Sequence, residues 1–256
     1  MNVCLIQTNI AWGDVSGNLR QLETLAAQAT PADLYVLPEM FTTGFATSAG
    51  ALVETEPADG LEWMKAFAKM RGAAVCGSVA LKLAASENCV NRMYFVTPDG
   101  GVRVYDKKHL FGYGGERDRF SAGIDRVTVE YDGVRFMLAV CYDLRFPVWL
   151  RNRGDYDVLI VSANWPEGRR RAWDVLTKAR AIENQCYVLA VNRTGSDPSC
   201  NYDGGTAVVG PSGEMLASVP DNTAGCCSAQ LDIKGLAAFR RDFPVLDDAD
   251  AFTLLP

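Results

Sequence analysis

Histidine is nearly absent from this sequence, which contains His109 alone among 256 residues. Enzymes that activate a cysteine usually pair it with a base, most often histidine. If this chain used a catalytic cysteine, its base would be either His109 or a residue of another type. The eight cysteines form no C-x-x-C pair, which gives little support to a zinc cluster. Several lie in apolar, strand-like runs, as small hydrophobic residues do, and this usage is typical of a reduced, cytoplasmic protein.

Long apolar runs and long basic runs are absent too. No stretch approaches the roughly 18 apolar residues of a membrane-spanning helix. The apolar start, Met1 to Thr8, lacks the charged region of a secretory signal and is predicted to be a strand. Net charge is −6, and phosphate binding requires clustered Lys and Arg, so no nucleic-acid partner is expected. The densest basic run, Arg169-Arg170-Arg171, is predicted to be the solvated first turn of a helix.

Hydrophobic residues make up 48% of the chain and charged residues 22%, which suits one domain over residues 1–256. Apolar runs bounded by turn residues predict strands, and amphipathic stripes predict helices. The predicted strands are 2–7, 34–37, 74–79, 90–96, 102–105, 127–131, 134–140, 158–163, 187–191, 206–209 and 214–219. The predicted helices are 18–28, 61–70 and 170–184. This order predicts an α/β architecture of mixed sheets covered by helices.

Cys141 is the first candidate for chemistry. It follows an apolar predicted strand and precedes Pro147, which is well placed as the first residue of a helix. A sharp turn from strand to helix exposes the side chain at the turn, as in a nucleophile elbow. A helix N-terminus nearby would also favour thiolate over thiol. The alternative is a buried cysteine that closes a strand, and the local pattern leaves both interpretations open.

Two residues compete as the base for Cys141. Glu39 ends the predicted strand 34–37, and the end of a buried strand is where α/β proteins place their sites. A loop carboxylate or a helix cap is the alternative interpretation of Glu39. His109 is the rival base, and counting alone does not exclude it. The other features of the chain favour the carboxylate.

Lys107 and Glu116 are further candidates. Lys107 follows the predicted strand 102–105 and is placed to bring an ammonium group to a developing oxyanion. A surface lysine is the ordinary alternative. Glu116 follows the Gly-rich segment FGYGG at 111–115, and it fits either a site residue or a solvated loop.

Three segments, taken in order, resemble the Glu, Lys and Cys signatures of the nitrilase superfamily of carbon–nitrogen hydrolases. They are LPEMF at 37–41, YDKKHLF at 105–111 and VCYDLRFP at 140–147. The Cys segment is the most specific of the three. Further matches, including SANWP at 162–166 and ARAIENQ at 179–185, extend the resemblance from residue 2 to residue 243. Within the superfamily the sequence looks most similar to the bacterial ω-amidases.

The resemblance implies a four-layer α-β-β-α sandwich that pairs into a homodimer and uses no metal or organic cofactor. It implies that Cys141 is the nucleophile and Glu39 the base. Lys107 and the backbone N–H of Tyr142 would hold the oxyanion, and Glu116 would orient Lys107 or the attacking water.

The implied reaction is hydrolysis of the terminal amide of a small 2-oxo acid amide, such as 2-oxoglutaramate or 2-oxosuccinamate, through a Cys thioester. The far carboxylate of such a substrate needs a cation. Arg145, four residues after Cys141, is a candidate, and a structural arginine is the alternative. The aromatic residues Phe41, Tyr113 and Trp165 are candidates for the pocket wall and fit an ordinary core equally well.

Two other functions are open. A carbamoylase, nitrilase or aliphatic amidase of the same superfamily would use the same residues in a different pocket. A non-catalytic binding member of the fold is disfavoured, because Glu39, Lys107 and Cys141 are all present. His109 is structural in these interpretations. The dimer interface is expected to involve residues 180–185 and the C-terminal segment.

Overall fold

Alternating apolar residues fold the chain into stacked β-sheets, which the computed structural model describes over residues 1–47, 52–84 and 88–254. The strands are β1 (Asn2–Gln7), β2 (Leu34–Val36), β3 (Glu54–Thr55), β4 (Ala74–Lys82), β5 (Cys89–Val96), β6 (Val102–Asp106), β7 (Thr128–Tyr131), β8 (Val134–Val140), β9 (Val158–Ser162), β10 (Tyr187–Val191), β11 (Thr194–Ser196), β12 (Asn201–Asp203), β13 (Ala207–Val209), β14 (Met215–Ser218) and β15 (Gly225–Gln230). The α-helices are α1 (Val15–Gln28), α2 (Asp59–Arg71), α3 (Pro147–Leu150), α4 (Arg170–Asn184) and α5 (Ile233–Asp242). Short 3-10 turns span Gly112–Gly114, Glu116–Asp118, Cys141–Arg145, Glu167–Arg169 and Val245–Asp248.

The sheet order brings several strand ends to one edge. The first sheet runs β15-β1-β2-β4-β5-β6, with β3 beside β4, and the second runs β14-β13-β10-β9-β8-β7. The central strands β8, β9 and β10 are parallel, so the residues that follow them lie side by side. Ser162, at the end of β9, donates to the carbonyl of Leu37, just beyond β2 in the first sheet, at 2.7 Å. The carboxyl ends of both sheets therefore meet at this point.

Period-two alternation along the strands buries both faces of the first sheet. On β1, Val3 and Leu5 belong to the core shared with the second sheet. Cys4 and Ile6 face the opposite way and pack with residues of α1 and α2. Trp173 of α4 packs into the core from the outer side of the second sheet. The layers run α-β-β-α, as the sequence predicts.

Local chemistry explains several element ends. The Asp14 side chain accepts a hydrogen bond from Gly17 N at 2.9 Å and caps α1. Helix α2 ends at Gly72, whose φ of +62° is in the left-handed region that glycine adopts without strain. Pro147 is the first residue of α3, as predicted. No helix among the described residues has the length and apolar character to cross a bilayer.

The C-terminal part differs most from the sequence prediction. The segment from residue 240 onward begins inside α5 and includes the turn Val245–Asp248. Asp232 caps α5 by accepting from Gly235 N at 2.8 Å, and Leu236 is its buried residue. The apolar residues Ile233, Leu236 and Ala237 stand at helical spacing, and this pattern was the available signal for α5. Strand β15 was missed because GCCSAQ alternates weakly.

Candidate active site

Cys141 lies at a strained turn where β8 passes into a 3-10 helix. Its φ is +46°, a conformation that costs a non-glycine residue roughly 1–3 kcal/mol and needs support from its surroundings. Buried Asp143 supplies that support. Its carboxylate accepts from Val140 N at 2.9 Å, Tyr105 OH at 2.7 Å and His109 N at 3.0 Å. The sharp turn predicted from the sequence is therefore present and holds Cys141 at the carboxyl edge of the second sheet.

Glu39 approaches Cys141 from the facing sheet, just after β2. Its Oε1 accepts from Lys107 Nζ at 2.9 Å and from Asn91 Nδ2 at 2.8 Å. Its Oε2 accepts from Asn164 N at 2.8 Å. Cys141 Sγ lies 3.8 Å from the backbone oxygen of the same Asn164. The nucleophile candidate and the carboxylate, far apart in sequence, thus meet at one residue.

Lys107 and Glu116 complete a fully buried cluster with Glu39. Lys107 Nζ lies 2.9 Å from Glu116 Oε2 and 3.2 Å from Oε1. Glu116 also accepts from Phe111 N at 2.6 Å and from Asn91 Nδ2 at 3.0 Å. Lys107 is therefore not a surface lysine, and Glu116 is not a solvated loop residue. Glu116 and Glu39 thus hold the ammonium group together.

The charges of this cluster set the resting state of the thiol. Burial, and next the charge of Glu39, raise the pKa of Cys141 well above its ordinary value, and Lys107 offsets only part of the rise. Burial and the carboxylates therefore outweigh the preference for thiolate that a nearby helix N-terminus would give. Burial alone would lower the pKa of Lys107, but Glu116 and Glu39 raise it, so Lys107 is protonated. A neutral thiol needs a base before it can attack.

His109 lies apart from the thiol cluster. Its Nδ1 is 2.8 Å from Asp143 Oδ1, and its ring stacks on Phe146 with centroids 3.8 Å apart. These contacts support the turn that follows Cys141. Of the two bases that the sequence leaves open, the structure brings the carboxylate of Glu39, not the imidazole, to the nucleophile.

A cavity of about 370 Å³ opens at Cys141. Tyr113, Trp165 and Arg145 line it, as the sequence suggests, and Tyr142 lies beside them. The Arg145 guanidinium is 4.8 Å from the centre of the Trp165 ring. The backbone N–H of Tyr142 lies in the first turn of a helix, where N–H groups have no partner within the helix. It is thus available as an oxyanion donor.

Phe41 does not belong to the cavity wall. It is buried in the core between the first sheet and α2, with its ring 5.9 Å from that of Trp63. The reason is the intervening Met40, whose φ of +44° turns the chain. Glu39 therefore points to the site, whereas Phe41 points back into the helix layer. Phe45, from the same loop, lines the cavity instead.

The run Arg169-Arg170-Arg171 is not uniformly solvated, contrary to the sequence prediction. Arg169 lines the cavity, with Cζ 5.2 Å from the ring centre of Phe111 and 5.4 Å from that of Tyr113. Arg170 forms ion pairs with three aspartates. Only Arg171 of the three is exposed. Arg169 ends the 3-10 turn that precedes α4, whereas Arg170 and Arg171 are the first two residues of the helix, so the three side chains point into different surroundings.

Sequence reasoning missed two asparagines. Asn91 bridges the carboxylates of Glu39 and Glu116, and Asn164 joins Glu39 to Cys141. The available signal for Asn91 was its polar side chain in the largely apolar strand β5, because buried polar groups need partners. Among the described residues, no three His, Cys, Asp or Glu side chains are grouped to hold a metal ion.

A cysteine at a strained turn, beside a buried Glu–Lys–Glu cluster on an α-β-β-α sandwich, defines a carbon–nitrogen hydrolase of the nitrilase type. The chain belongs to that family, since the model described as "Carbon-nitrogen hydrolase" matches residues 2–241. The superfamily and fold predicted from the sequence are confirmed, and so is an enzyme that hydrolyses carbon–nitrogen bonds.

Similar proteins cover the whole chain. "Omega-amidase YafV" of Yersinia enterocolitica is 42% identical over 100% of this chain and 99% of its own length. "2-oxoglutaramate amidase" of Bacillus subtilis is 35% identical, over 96% of each chain. XC1258 of Xanthomonas campestris is a CN-hydrolase superfamily protein solved with an arsenic adduct in its active site. It superposes with a TM-score of 0.94 at 38% identity, over 99% of this chain and 98% of that one.

Proposed function

We propose that this chain is an ω-amidase that hydrolyses the terminal amide of small 2-oxo acid amides, such as 2-oxoglutaramate and 2-oxosuccinamate. The observation that carries the proposal is that Glu39 and Lys107 lie buried next to Cys141, which lines the cavity. The cavity has room for a small substrate, and its wall contains the cations Arg145 and Arg169. The names of the similar proteins support the same class of substrate.

In the proposed acylation, Glu39 accepts the Cys141 proton as sulfur attacks the amide carbon. The developing oxyanion is held by Lys107 and the backbone N–H of Tyr142. An ammonium group has three N–H donors, so one directed at each carboxylate leaves a third for this oxygen. Losing such a donor typically costs about 2.7–4 kcal/mol of barrier. Collapse breaks the carbon–nitrogen bond, and protonated Glu39 gives its proton to the departing ammonia.

Deacylation uses the same groups in reverse. Glu39, again a carboxylate, takes a proton from water as the water oxygen attacks the thioester. Lys107 and Tyr142 N hold the second oxyanion, and the carbon–sulfur bond breaks to release the carboxylic acid. The proton on Glu39 returns to Cys141. Glu116 keeps Lys107 in place through both halves, because it contacts the ammonium group directly.

Ammonia release tests this function. The substrates are 2-oxoglutaramate, 2-oxosuccinamate, glutamine and short aliphatic amides, with Cys141→Ala and, as a matched control, Cys89→Ala. We expect the highest kcat/KM on a 2-oxo acid amide, no turnover by Cys141→Ala and normal turnover by Cys89→Ala, since Cys89 lies outside the cavity on β5. A preference for aliphatic amides would contradict the substrate, and turnover by Cys141→Ala would contradict the nucleophile.

We also propose that the enzyme is a cytoplasmic homodimer. The eight cysteines are free and at most half-exposed, as in proteins of reducing compartments. Exposed apolar side chains on α4, on β14 and after α5 supply a surface for a second copy, namely Val175, Ile182, Met215, Leu216 and Phe243. Recovery of the native chain in a membrane or extracellular fraction would contradict the location. The dimer is tested at the level of the whole molecule below.

A further inference from the structure

Two guanidinium groups in the cavity wall are held by aromatic rings. Arg145 lies over Trp165, and Arg169 lies over Phe111 and Tyr113. Within the described parts of the chain, neither group forms an ion pair with a carboxylate. By contrast, the neighbouring Arg170 forms ion pairs with three aspartates. A cation that is held in position but left unpaired at a cavity is free to bind an anion.

Asp197, an acidic residue of the same cavity wall, already accepts hydrogen bonds from three protein groups. Asp197 Oδ1 accepts from Ser199 N at 2.7 Å and Cys200 N at 2.8 Å, and Oδ2 accepts from Tyr202 OH at 2.6 Å. These bonds hold Asp197 in its own loop between β11 and β12. The two arginines therefore dominate the charge that this part of the wall offers to a ligand.

We infer that Arg169, together with Arg145, binds the carboxylate at the 2-oxo acid end of the substrate, and that Arg169 determines specificity for it. The inference rests on the proposed function. A guanidinium presents paired N–H donors that match a carboxylate. Two cations also repel the α-ammonium group of glutamine, whereas a 2-oxo group carries no charge. The pair therefore selects 2-oxo acid amides over amino acid amides of the same length.

Arg169 is also coupled to the catalytic cluster through one segment. Its guanidinium stacks on the ring of Phe111, and the backbone N–H of Phe111 donates to Glu116 at 2.6 Å. Glu116 in turn contacts Lys107 Nζ at 2.9 Å. Phe111, which packs against Arg169, thus helps to fix Glu116, and Glu116 positions Lys107. A substrate bound through Arg169 is held against the same framework as its reacting amide.

The test compares three variants on three amides. Arg169→Gln removes the charge, Arg169→Lys keeps it without the paired donors, and Arg171→Gln makes the same change at an exposed site in the same run. The amides are 2-oxoglutaramate, glutaramate (a carboxylate without the 2-oxo group) and neutral pentanamide. We expect Arg169→Gln to lower the kcat/KM ratio of 2-oxoglutaramate to pentanamide at least tenfold, chiefly through KM. Arg169→Lys should recover part of this ratio, and Arg171→Gln should leave it unchanged.

An unchanged ratio in Arg169→Gln that melts like the wild type would overturn the inference. The proposed function fails separately if the wild type hydrolyses glutaramate but not 2-oxoglutaramate, and the role of Arg169 is then judged from the kcat/KM ratio of glutaramate to pentanamide. A wild type that prefers pentanamide overturns both. If Arg169→Gln does not fold, the test is the rate at which iodoacetamide labels Cys141 in the presence of 2-oxoglutarate. We then expect 2-oxoglutarate to slow this labelling more in the wild type than in Arg169→Lys. Equal protection contradicts the role of Arg169.

Discussion

Glu39 is surrounded by hydrogen-bond donors, and this determines what the cysteine beside it can do. Both oxygens accept, from Lys107, Asn91 and the backbone of Asn164. A carboxylate oxygen can accept more than one hydrogen bond, and these three bonds hold the group in place. Two carboxylates and one ammonium group leave a net negative charge next to Cys141. The pKa of the thiol is therefore raised, and in the proposed mechanism the attack requires a proton to move to Glu39.

Glu39→Gln separates the electrostatic role from the catalytic one. The charge of Glu39 raises the pKa of Cys141, so its removal should lower that pKa and move thiol ionisation to lower pH. Turnover should nevertheless fall by about 10²–10⁴, the usual worth of a general base. The measurement is the pH dependence of iodoacetamide labelling at the Cys141 peptide, beside kcat/KM. Glu54→Gln, at a buried carboxylate on β3, is the control and should leave the labelling midpoint in place.

If the pH midpoint of Cys141 labelling stays unchanged or rises in Glu39→Gln, the charge of Glu39 does not raise the pKa of the thiol. Loss of turnover with an unshifted midpoint would mean that Glu39 acts on the substrate without controlling Cys141.

Site residues in segments typical of the family are predicted well from the sequence. Residues whose role depends on tertiary contacts are not. Glu39, Lys107 and Cys141 each end a strand-like run, so pattern and family resemblance single them out together. Arg169 looks like one of three equivalent surface arginines, and only the packing of Phe111 and Tyr113 distinguishes it. Phe41 is the converse case, because nothing in LPEMF reveals the left-handed Met40 that turns Phe41 away from the site.

At the scale of the element, the turn after β8 is built by a residue that never reaches the substrate. Asp143 accepts hydrogen bonds from the turn itself, from the end of β6 through Tyr105, and from His109. These bonds fix the left-handed conformation of Cys141 and so aim its sulfur at the cavity. His109 contributes to this support through its contacts with Asp143. This role explains why a histidine stands two residues after Lys107.

His109→Asn tests the structural assignment of the only histidine in the sequence. We expect the free energy of unfolding to fall by about 0.5–1.5 kcal/mol, since one hydrogen bond to Asp143 is weakened. Turnover should stay within about tenfold of the wild type, because Glu39 supplies the base. Urea unfolding and ammonia release give the two readings. Abolished turnover in a folded variant would return the role of base to histidine.

Elements with strong periodicity are also the ones that the sequence predicts with correct bounds. The strands β1, β8 and β10 and the helix α4 have the predicted limits. Short or weakly alternating elements, such as β3, β11, β12, β15 and α5, were not predicted. Their formation depends on tertiary partners: β15, for example, pairs along the full length of β1. A local pattern carries no information on such partners.

At the scale of the molecule, the stacking of two sheets creates the site. Glu39 and Lys107 follow strands of the first sheet, and Cys141 and Asn164 follow strands of the second. Neither sheet alone holds a nucleophile together with its base. The layer order was predictable from the family resemblance, whereas the register that sets Glu39 against Asn164 required the packed structure.

The apolar surface of α4 predicts how two copies associate. Ile182 is exposed on α4, within the segment 180–185 expected at an interface. Ile182→Glu places a charge on this surface and should convert a homodimer into a monomer in sedimentation velocity at micromolar concentration. Ile124→Glu, at an exposed isoleucine outside α4, is the matched control and should leave the mass unchanged. A monomeric wild type, or a dimer in Ile182→Glu, would contradict this arrangement.

The central claim is that Cys141 carries the acyl group of a 2-oxo acid amide. The most direct test is to mix the enzyme with 2-oxoglutaramate, quench it in acid within the first turnovers, and measure the intact mass and peptide masses. We expect a gain equal to the mass of 2-oxoglutaramate minus that of ammonia, located on Cys141 and absent from Cys141→Ala. Rapid turnover with no adduct on Cys141, or an adduct on another cysteine, would contradict it.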